Sequence, residues 1–458
     1  MPFKRSPGYH RSLSRPHDFE PVRVEGCLPE HLRGTLYRNG PALFEHGGRR
    51  HRHVFEGDGA VCAVRIGGEA VECAHLLHDT EGLREERAAG EALYGTAASW
   101  PRRLAANWQR RFKNSANTSI WRWQERLFAL MERGPATEID PLSLKTLGPT
   151  TFGGLVAAGF SAHPHRVPAR RADYNFGLVP GRRPQLQLFE FPWQGEPRLL
   201  GAIPLDAHVM LHDFIATARH LVFFIGPVKL RLGRVLAGDA DVDRIFRFDA
   251  AAGTEIVVVP IDAPERPLRF QAPAFWQWHF AGARDAGDEI VVDFIRHPDF
   301  SSLGELNQAE RSGRGRLTRA WLDLKSRTLR QEERWDVGCE YPRVDPRFEG
   351  GDPRHVFVSY DGGPGLLAKV DLETGKAATW DPGPGRFPSE IVMVPRSADA
   401  PEGDGHALSL IYDEEAHASH VAVLDSARIE DGPVARIHLG HHVPMTFHGI
   451  WVDAGPAR

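Results

Sequence analysis

The sequence predicts a large all-β domain, a propeller in preference to a sandwich. Short apolar or alternating runs recur between Gly, Pro and Asp residues as far as the C-terminus, among them HLVFFI at 220–225, EIVVDFI at 289–295, RHVFVSY at 354–360, HALSLIY at 406–412 and SHVAVLD at 419–425. They are too short and too β-branched for core helices. Their spacing supplies many more strands than a sandwich uses. No exact repeat counts the blades. A chain of 458 residues is ample for one large ring-shaped domain. Residues 1–20 read as an N-terminal extension and 21–458 as a single propeller domain.

The main non-β interlude runs from about 80 to 116. EGLREERAAGEAL can be helical, and SWPRRLAANWQRRFKN follows it. In the second stretch Pro101 suits a first helical position, and Trp100, Leu104, Trp108 and Phe112 recur every four residues beside Arg102, Arg103, Arg110, Arg111 and Lys113. Two readings stay open. The face can pack as a cap on the β domain, or residues 98–116 can lie on a membrane surface with arginines near lipid phosphates.

Composition excludes several classes. With 25% charged and 41% hydrophobic residues and no run near the roughly 18 apolar residues that a bilayer requires, the chain is neither disordered nor membrane-spanning. A net charge of -4 provides no general attraction to nucleic acid. Cys27, Cys62, Cys73 and Cys339 lack CxxC spacing, so neither a zinc ribbon nor a disulfide framework is expected. The start, MPFKRSPGYHRSLSRPHDFEP, has no apolar segment after its basic residues, which argues against a signal peptide. A cytoplasmic location is the default expectation, with no obligate protein partner.

Four histidines have strong local context: His163 in SAHPHRVP, His212 in VMLHDFIATARHLVFF, His279 in FWQWHFAGA and His448 in VPMTFHGIWV. None lies within a helical turn of another, so any shared metal must be assembled by the tertiary fold. Imidazole binds Fe, Zn, Ni and Cu. A tetrahedral zinc with four histidines has no open position, whereas iron of higher coordination number still admits dioxygen. There is no GxGxxG after a strand, no GxxxxGK[ST], no HExxH and no GxSxG elbow.

These segments, read in order, resemble the carotenoid cleavage oxygenase family. GTLYRNGPALFEHGGRRHRHVFEGDGAV at 34–61 is similar to its N-terminal signature and FKNSANTSI at 112–120 to a second block. AHP at 162–164, MLHDFIAT at 210–217, WQWHFAGA at 276–283 and FHGIWV at 447–452 match the four ligand segments. The resemblance implies a seven-bladed β-propeller with a helical and loop cap over the top face that carries the iron centre. Fe(II) would be bound there by His163, His212, His279 and His448. It also implies three supporting carboxylates, Glu132 in LMERG, Glu340 in CEYPRV and Glu390 in PSEIVMVPR, which accept hydrogen bonds from the outer imidazole nitrogens and fix the tautomer. Departures include HRVPARRADYNFG after the first ligand and SEI in place of the more familiar GEP around Glu390.

The implied activity is insertion of O2 across one carbon-carbon double bond of a carotenoid or apocarotenoid, giving two carbonyl products without an organic cofactor. An alternative is cleavage of a hydroxystilbene or phenylpropene to aromatic aldehydes, for which Tyr94 and Lys113 are candidate phenol anchors. The isomerohydrolase branch's lipid-modified cysteine element has no clear counterpart here. A non-catalytic propeller scaffold is a third class. Phe152, Phe160, Phe214, Phe275, Trp276 and Phe447 lie near ligand segments and are candidates for a channel that takes a hydrophobic small molecule.

Overall fold

A computed structural model describes residues 7–67, 69–109, 111–156, 158–306, 313–360 and 365–454. Seven antiparallel sheets form the blades of a β-propeller. Blade 2 runs outward from Ser119–Trp123 to Thr146–Thr150, blade 3 from His165–Val167 to Arg198–Pro204, and blade 4 from Ile215–Ala216 to Leu268–Ala272. Blade 5 runs from Trp276–Ala286 to Thr328–Trp335 and blade 6 from Cys339–Arg343 to Ala377–Trp380. In each the strands follow chain order, as short hairpin connections dictate.

Blades 1 and 7 close the ring with strands from both ends of the chain. Blade 1 is built on Gly34–Leu43, Asp58–Ile66 and Glu72–Leu77; the C-terminal strand Gly449–Asp453 pairs at its inner side and His17–Pro21 at its outer edge. Blade 7 runs from Arg386–Pro395 to Pro433–His438 and takes Arg23–Gly26 as its fifth strand. The expected extension at residues 1–20 is therefore partly blade. His17–Pro21 belongs to a sheet, and buried Leu13 donates its N–H to the Ala42 carbonyl at 2.7 Å. The strand residues pair with Glu72–Leu77 and so satisfy the outer edge of blade 1.

Seven apolar clusters lie between neighbouring blades. Phe176, Leu188, Phe214, Phe223 and Val257 join blades 3 and 4, for example, while Val394, Leu408, Val421, Leu36 and Val64 join blades 7 and 1. The strands that alternate inward and outward in the sequence thus bury both faces, each against an adjacent blade.

The cap is larger than the sequence suggests. Helix α1 (Glu81–Ala89) begins at Thr80, whose hydroxyl accepts the Leu83 N–H at 3.3 Å, and ends at Gly90 with φ 66°, the left-handed position that favours glycine. Helix α2 (Trp100–Trp108) carries Pro101 in its first turn. Three further short helices, α3 (Leu232–Leu236), α4 (Val242–Ile245) and α5 (Ser302–Glu305), come from insertions in blades 4 and 5. Polar groups of α2 tie it to α3: Trp100 Nε1, Arg103 Nε and Asn107 Nδ2 donate to the carbonyls of Ala237, Gly238 and Val235. Its Trp100 and Trp108 stay exposed, at 56% and 73%, as does Phe112 at 59%, which lies beyond the end of α2 rather than on its next turn as the four-residue spacing suggests. Arg110 lies outside the described residues. Among the described residues no helix is long and apolar enough to cross a membrane.

Candidate metal centre

His163, His212 and His448 lie just ahead of the inner strands of blades 3, 4 and 1, and His279 lies within the inner strand of blade 5. That strand slips register between Gln277 and Phe280, and a bulge re-aims a side chain in this way. The four rings offer nitrogens that all lie within 4.8 Å of one another. The Nε2 atoms of His163 and His212 are 3.1 Å apart, and those of His212 and His279 are 3.2 Å apart.

Behind three of the rings stands a carboxylate. Glu132, after the second strand of blade 2, accepts from His212 Nδ1. Glu340 Oε2, on blade 6, accepts from His279 Nδ1 at 2.6 Å, and its Oε1 meets His297 Nε2 at 2.8 Å. Glu390 Oε1, on blade 7, accepts from His448 Nδ1 at 2.8 Å, while Oε2 takes Arg38 Nη1 at 2.8 Å and the Gly449 N–H at 2.9 Å. The less familiar SEI context leaves this contact intact. Ser389 turns instead to blade neighbours, its carbonyl accepting the hydroxyls of Ser359 and Ser409.

With Nδ1 donating, Nε2 presents its lone pair towards the common centre. Burial, reinforced by the surrounding rings, holds His163 well below the ordinary imidazole range. Burial likewise lowers His448 to about 4 against the pull of Glu390. For His212 burial acts downward, but the Glu132 carboxylate outweighs it and the net shift is upward. Burial disfavours charge on Glu340 and Glu390. The imidazoles beside the first, and Arg343, His448 and Arg38 around the second, nonetheless hold both well below the usual carboxylate range.

A second network spans three of the histidine segments. His165 gives Nε2 to Asp213 Oδ1 and Nδ1 to Glu349 Oε1, each at 2.9 Å. Asp213 Oδ1 also accepts the Phe214 N–H and Oδ2 the Phe280 N–H. One carboxylate thereby links the loops of His163 and His212 to the strand of His279. Burial opposes a charged His165, but the two flanking carboxylates raise it to about 9.

A cavity of about 330 Å³ opens on this centre, and His212, His279 and His448 form part of its wall. Phe447, Tyr94 and Lys113 also line it. Phe152, Phe160, Phe214, Phe275 and Trp276 do not: they are buried in apolar clusters, Phe214 stacked on Phe223 at 5.2 Å. Proximity in sequence misleads here because Phe152, Phe160, Phe214 and Phe275 lie in loops outside the strands and turn into the packing between blades, while Trp276, at the start of the His279 strand, packs into a separate apolar cluster. The apolar wall comes instead from Phe55, Met131, Met210, Trp278 and Leu306, residues that sequence reasoning missed. Phe55 and Met210 stood inside quoted blocks, whereas Met131 had only its place beside Glu132. Tyr341, also missed, stacks on the His279 ring at 5.3 Å with a backbone φ of 55°. Arg38 and His297 were missed as partners of the carboxylates, although Arg38 belongs to the RNG of the N-terminal block.

Neither candidate phenol anchor is free. Lys113 Nζ lies 2.6 Å from Asp58 Oδ1 and 2.5 Å from Glu86 Oε2. Tyr94 Oη donates to Glu85 and accepts from Arg111 at 3.1 Å.

Four convergent imidazoles, three of them backed by carboxylates, beside a largely apolar cavity, fit a non-haem ferrous ion. Fold and site together define a propeller metalloprotein of the non-haem iron type. Residues 11–453 match the model of the retinal pigment epithelial membrane protein family, and the chain belongs to that family. It is 32% identical to the apocarotenoid-15,15'-oxygenase of Synechocystis sp., over 97% of this chain and 95% of that one. It is 28% identical to lignostilbene-alpha,beta-dioxygenase isozyme III of Sphingomonas paucimobilis, over 98% and 96%. The crystal structure of cobalt-substituted Synechocystis apocarotenoid oxygenase superposes with a TM-score of 0.89 at 30% identity, covering 98% of both chains.

Proposed function

We propose that the chain is a dioxygenase that binds Fe(II) through His163, His212, His279 and His448 and cleaves one carbon-carbon double bond of an apocarotenoid or carotenoid, yielding two carbonyl products. The observation that carries this reading is the opening of a four-histidine centre onto a largely apolar cavity. Ferrous iron supplies the open-shell partner that triplet dioxygen needs to react with a closed-shell alkene. Both oxygen atoms end in the products, so neither a reductant nor an organic cofactor is required.

The chain's own residues do the rest. Glu132, Glu340 and Glu390 hold three imidazoles in the metal-binding tautomer, and Asp213 fixes the relative placement of three ligand segments. Phe55, Trp278 and Phe447 pack edge to face, at 5.4 Å for Phe55 and Phe447 and 6.3 Å for Phe55 and Trp278. They exclude water and offer a slot for a flat, conjugated substrate.

The stilbene reading draws support from the lignostilbene-cleaving relative. It is disfavoured by Lys113 and Tyr94, whose polar atoms are engaged by Asp58, Glu86, Glu85 and Arg111. Mass analysis of products from iron-loaded protein, O2 and an equimolar mixture of an apocarotenal and a hydroxystilbene tests the choice. Shortened polyenals support the proposal; aromatic aldehydes overturn it in favour of stilbene cleavage.

A lipid-dissolved substrate calls for a membrane-facing entrance, and α2 and α3 supply an apolar one. Trp100, Trp108 and Phe112 are exposed beside Leu232 and Leu236, and Phe112 and Val235 also line the cavity. The nearby cations are engaged within the chain, Arg102 with Glu91 and Arg111 with Glu85. Contact with the bilayer surface therefore rests on aromatic insertion more than on charge.

A further inference from the structure

Of the described residues lining the cavity, His51 alone has buried side-chain nitrogens, both Nδ1 and Nε2, without a hydrogen-bond partner. Its ring is almost fully enclosed, and the nearest carboxylate oxygen, Glu56 Oε1, stands 3.8 Å from Nδ1, beyond hydrogen-bond reach. A buried polar group left unpaired is costly, and one on the wall of a ligand cavity is most simply satisfied by the ligand.

The neighbours of His51 are already committed. Lys113 is held by Asp58 and Glu86, and His46 Nε2 lies 2.7 Å from Asp58 Oδ2. Glu56 accepts from the Thr96 N–H and hydroxyl and from the His53 N–H. Arg103 is spent on the carbonyls of Gly238, Thr96 and Ala98. Among these groups His51 alone keeps both ring nitrogens for a ligand, and the charges around it restrict what can bind there. A carboxylate would meet Glu56, and an ammonium would meet Lys113. Burial and the adjacent Lys113 lower His51 to about 4, so near neutral pH its ring offers one N–H and one lone pair. A hydroxyl, donor and acceptor at once, is the matching group.

We infer that His51 is the polar subsite of the cavity, binding a hydroxyl group on the end of an otherwise apolar substrate and so fixing which length of the molecule reaches the four histidines. The inference rests on the oxygenase reading above and narrows its substrate class to hydroxylated molecules.

The test uses iron-loaded full-length protein and a matched pair of probes, a polyene aldehyde whose ring carries a hydroxyl and the same aldehyde without it. Two measurements are made: kcat/KM under O2, and anaerobic dissociation constants from the polyene absorbance. The wild-type protein is expected to favour the hydroxylated probe about tenfold, equivalent to about 1.4 kcal/mol. His51→Leu should bring both ratios to about one. His51→Gln, which keeps a donor and an acceptor, should restore most of the preference, a recovery that general damage to the fold would not give. An unchanged preference in His51→Leu, or equal binding of both probes by the wild type, overturns the assignment. If the wild type cleaves neither probe the oxygenase reading fails, while the binding ratio still decides the role of His51.

Discussion

Glu390→Gln is the substitution whose consequences the structure specifies most tightly. Both carboxylate oxygens accept from donors: Oε1 from His448 Nδ1, Oε2 from Arg38 Nη1 and the Gly449 N–H. A carboxamide of the same shape has one oxygen and one NH2. Whichever way it is turned, the NH2 faces either the imidazole N–H or the guanidinium and amide donors, so a donor-donor conflict is unavoidable. Arg38 is 2% and Glu390 1% exposed, so water screens neither. Breaking a buried pair from one side costs about 3–5 kcal/mol, and loss of a ligand's carboxylate support costs about 10–100-fold in metal affinity.

Unfolding entropy of roughly 2.1 cal/mol/K per residue over 458 residues amounts to about 1 kcal/mol/K. A loss of about 3 kcal/mol should therefore lower Tm by about 3 °C. The assay is iron retention against a graded chelator, with thermal melting of the metal-free protein alongside. Wild-type retention together with an unchanged Tm would show that Glu390 neither supports His448 nor neutralises Arg38, and would refute the reasoning.

Other expectations follow from the same geometry. Tyr94→Phe removes a hydroxyl already bonded to Glu85 and should leave the ratio of hydroxystilbene to apocarotenal turnover unchanged; selective loss of stilbene cleavage would restore Tyr94 as an anchor. Trp108→Ser combined with Leu232→Ser, both exposed positions, should weaken co-sedimentation with neutral phospholipid vesicles at least about tenfold, and undiminished binding would remove the α2–α3 face from the membrane reading. Acid stability has a definite sign. Burial lowers His53 and His78 to about 4, so the unfolded chain binds more protons between about pH 6.5 and 4. The stability these neutral rings contribute is present above pH 6.5 and is lost as pH falls towards 4, at up to about 1.4 kcal/mol per pH unit per group. Chemical denaturation at pH 7 and pH 5 checks this, and equal midpoints would contradict it. His165, raised to about 9, acts oppositely: its contribution is complete below pH 6.5 and is lost as pH rises through 9.

The strands and the four histidines were legible because each rests on local information. A run such as HLVFFI declares a strand through period and β-branching, and the ligand blocks combine a histidine with fixed neighbours. The channel was not legible, since Trp276 and Trp278 differ by two positions on one strand yet only Trp278 lines the cavity. A register slip at Gln277–Phe280 decides between them, and that slip is set by pairing with a strand distant in sequence. The insertion carrying α3 and α4 was equally opaque. Val228–Leu230 and Phe246–Phe248 pair with each other across it, so it projects from blade 4 without interrupting the sheet. Lys113 reads as a candidate phenol anchor in FKNSANTSI; only the fold brings Asp58 and Glu86 to it.

The seven residues of the proposed centre are distributed one to a blade. Blades 3, 4, 5 and 1 supply His163, His212, His279 and His448, and blades 2, 6 and 7 supply Glu132, Glu340 and Glu390. No partial ring holds the complete set. His448 directly precedes Gly449–Asp453, the C-terminal strand that completes blade 1, so its position is fixed only when the ring closes. Metal affinity and closure are then one linked equilibrium. Free iron at about 1,000 times its dissociation constant adds about 4.1 kcal/mol to the closed state, or about 4 °C in Tm on the entropy scale used above. Disrupting closure at a distance should weaken that increment. Leu36→Ala, in the apolar contact between blades 7 and 1, should lower Tm by removing core packing, at a cost of about 2–5 kcal/mol. Because the ring opens more readily at that seam, iron should also leave faster than from the wild type at the same temperature. Iron release at an unchanged rate, with a lowered Tm, would show that the centre is held by its local loops and not by ring closure.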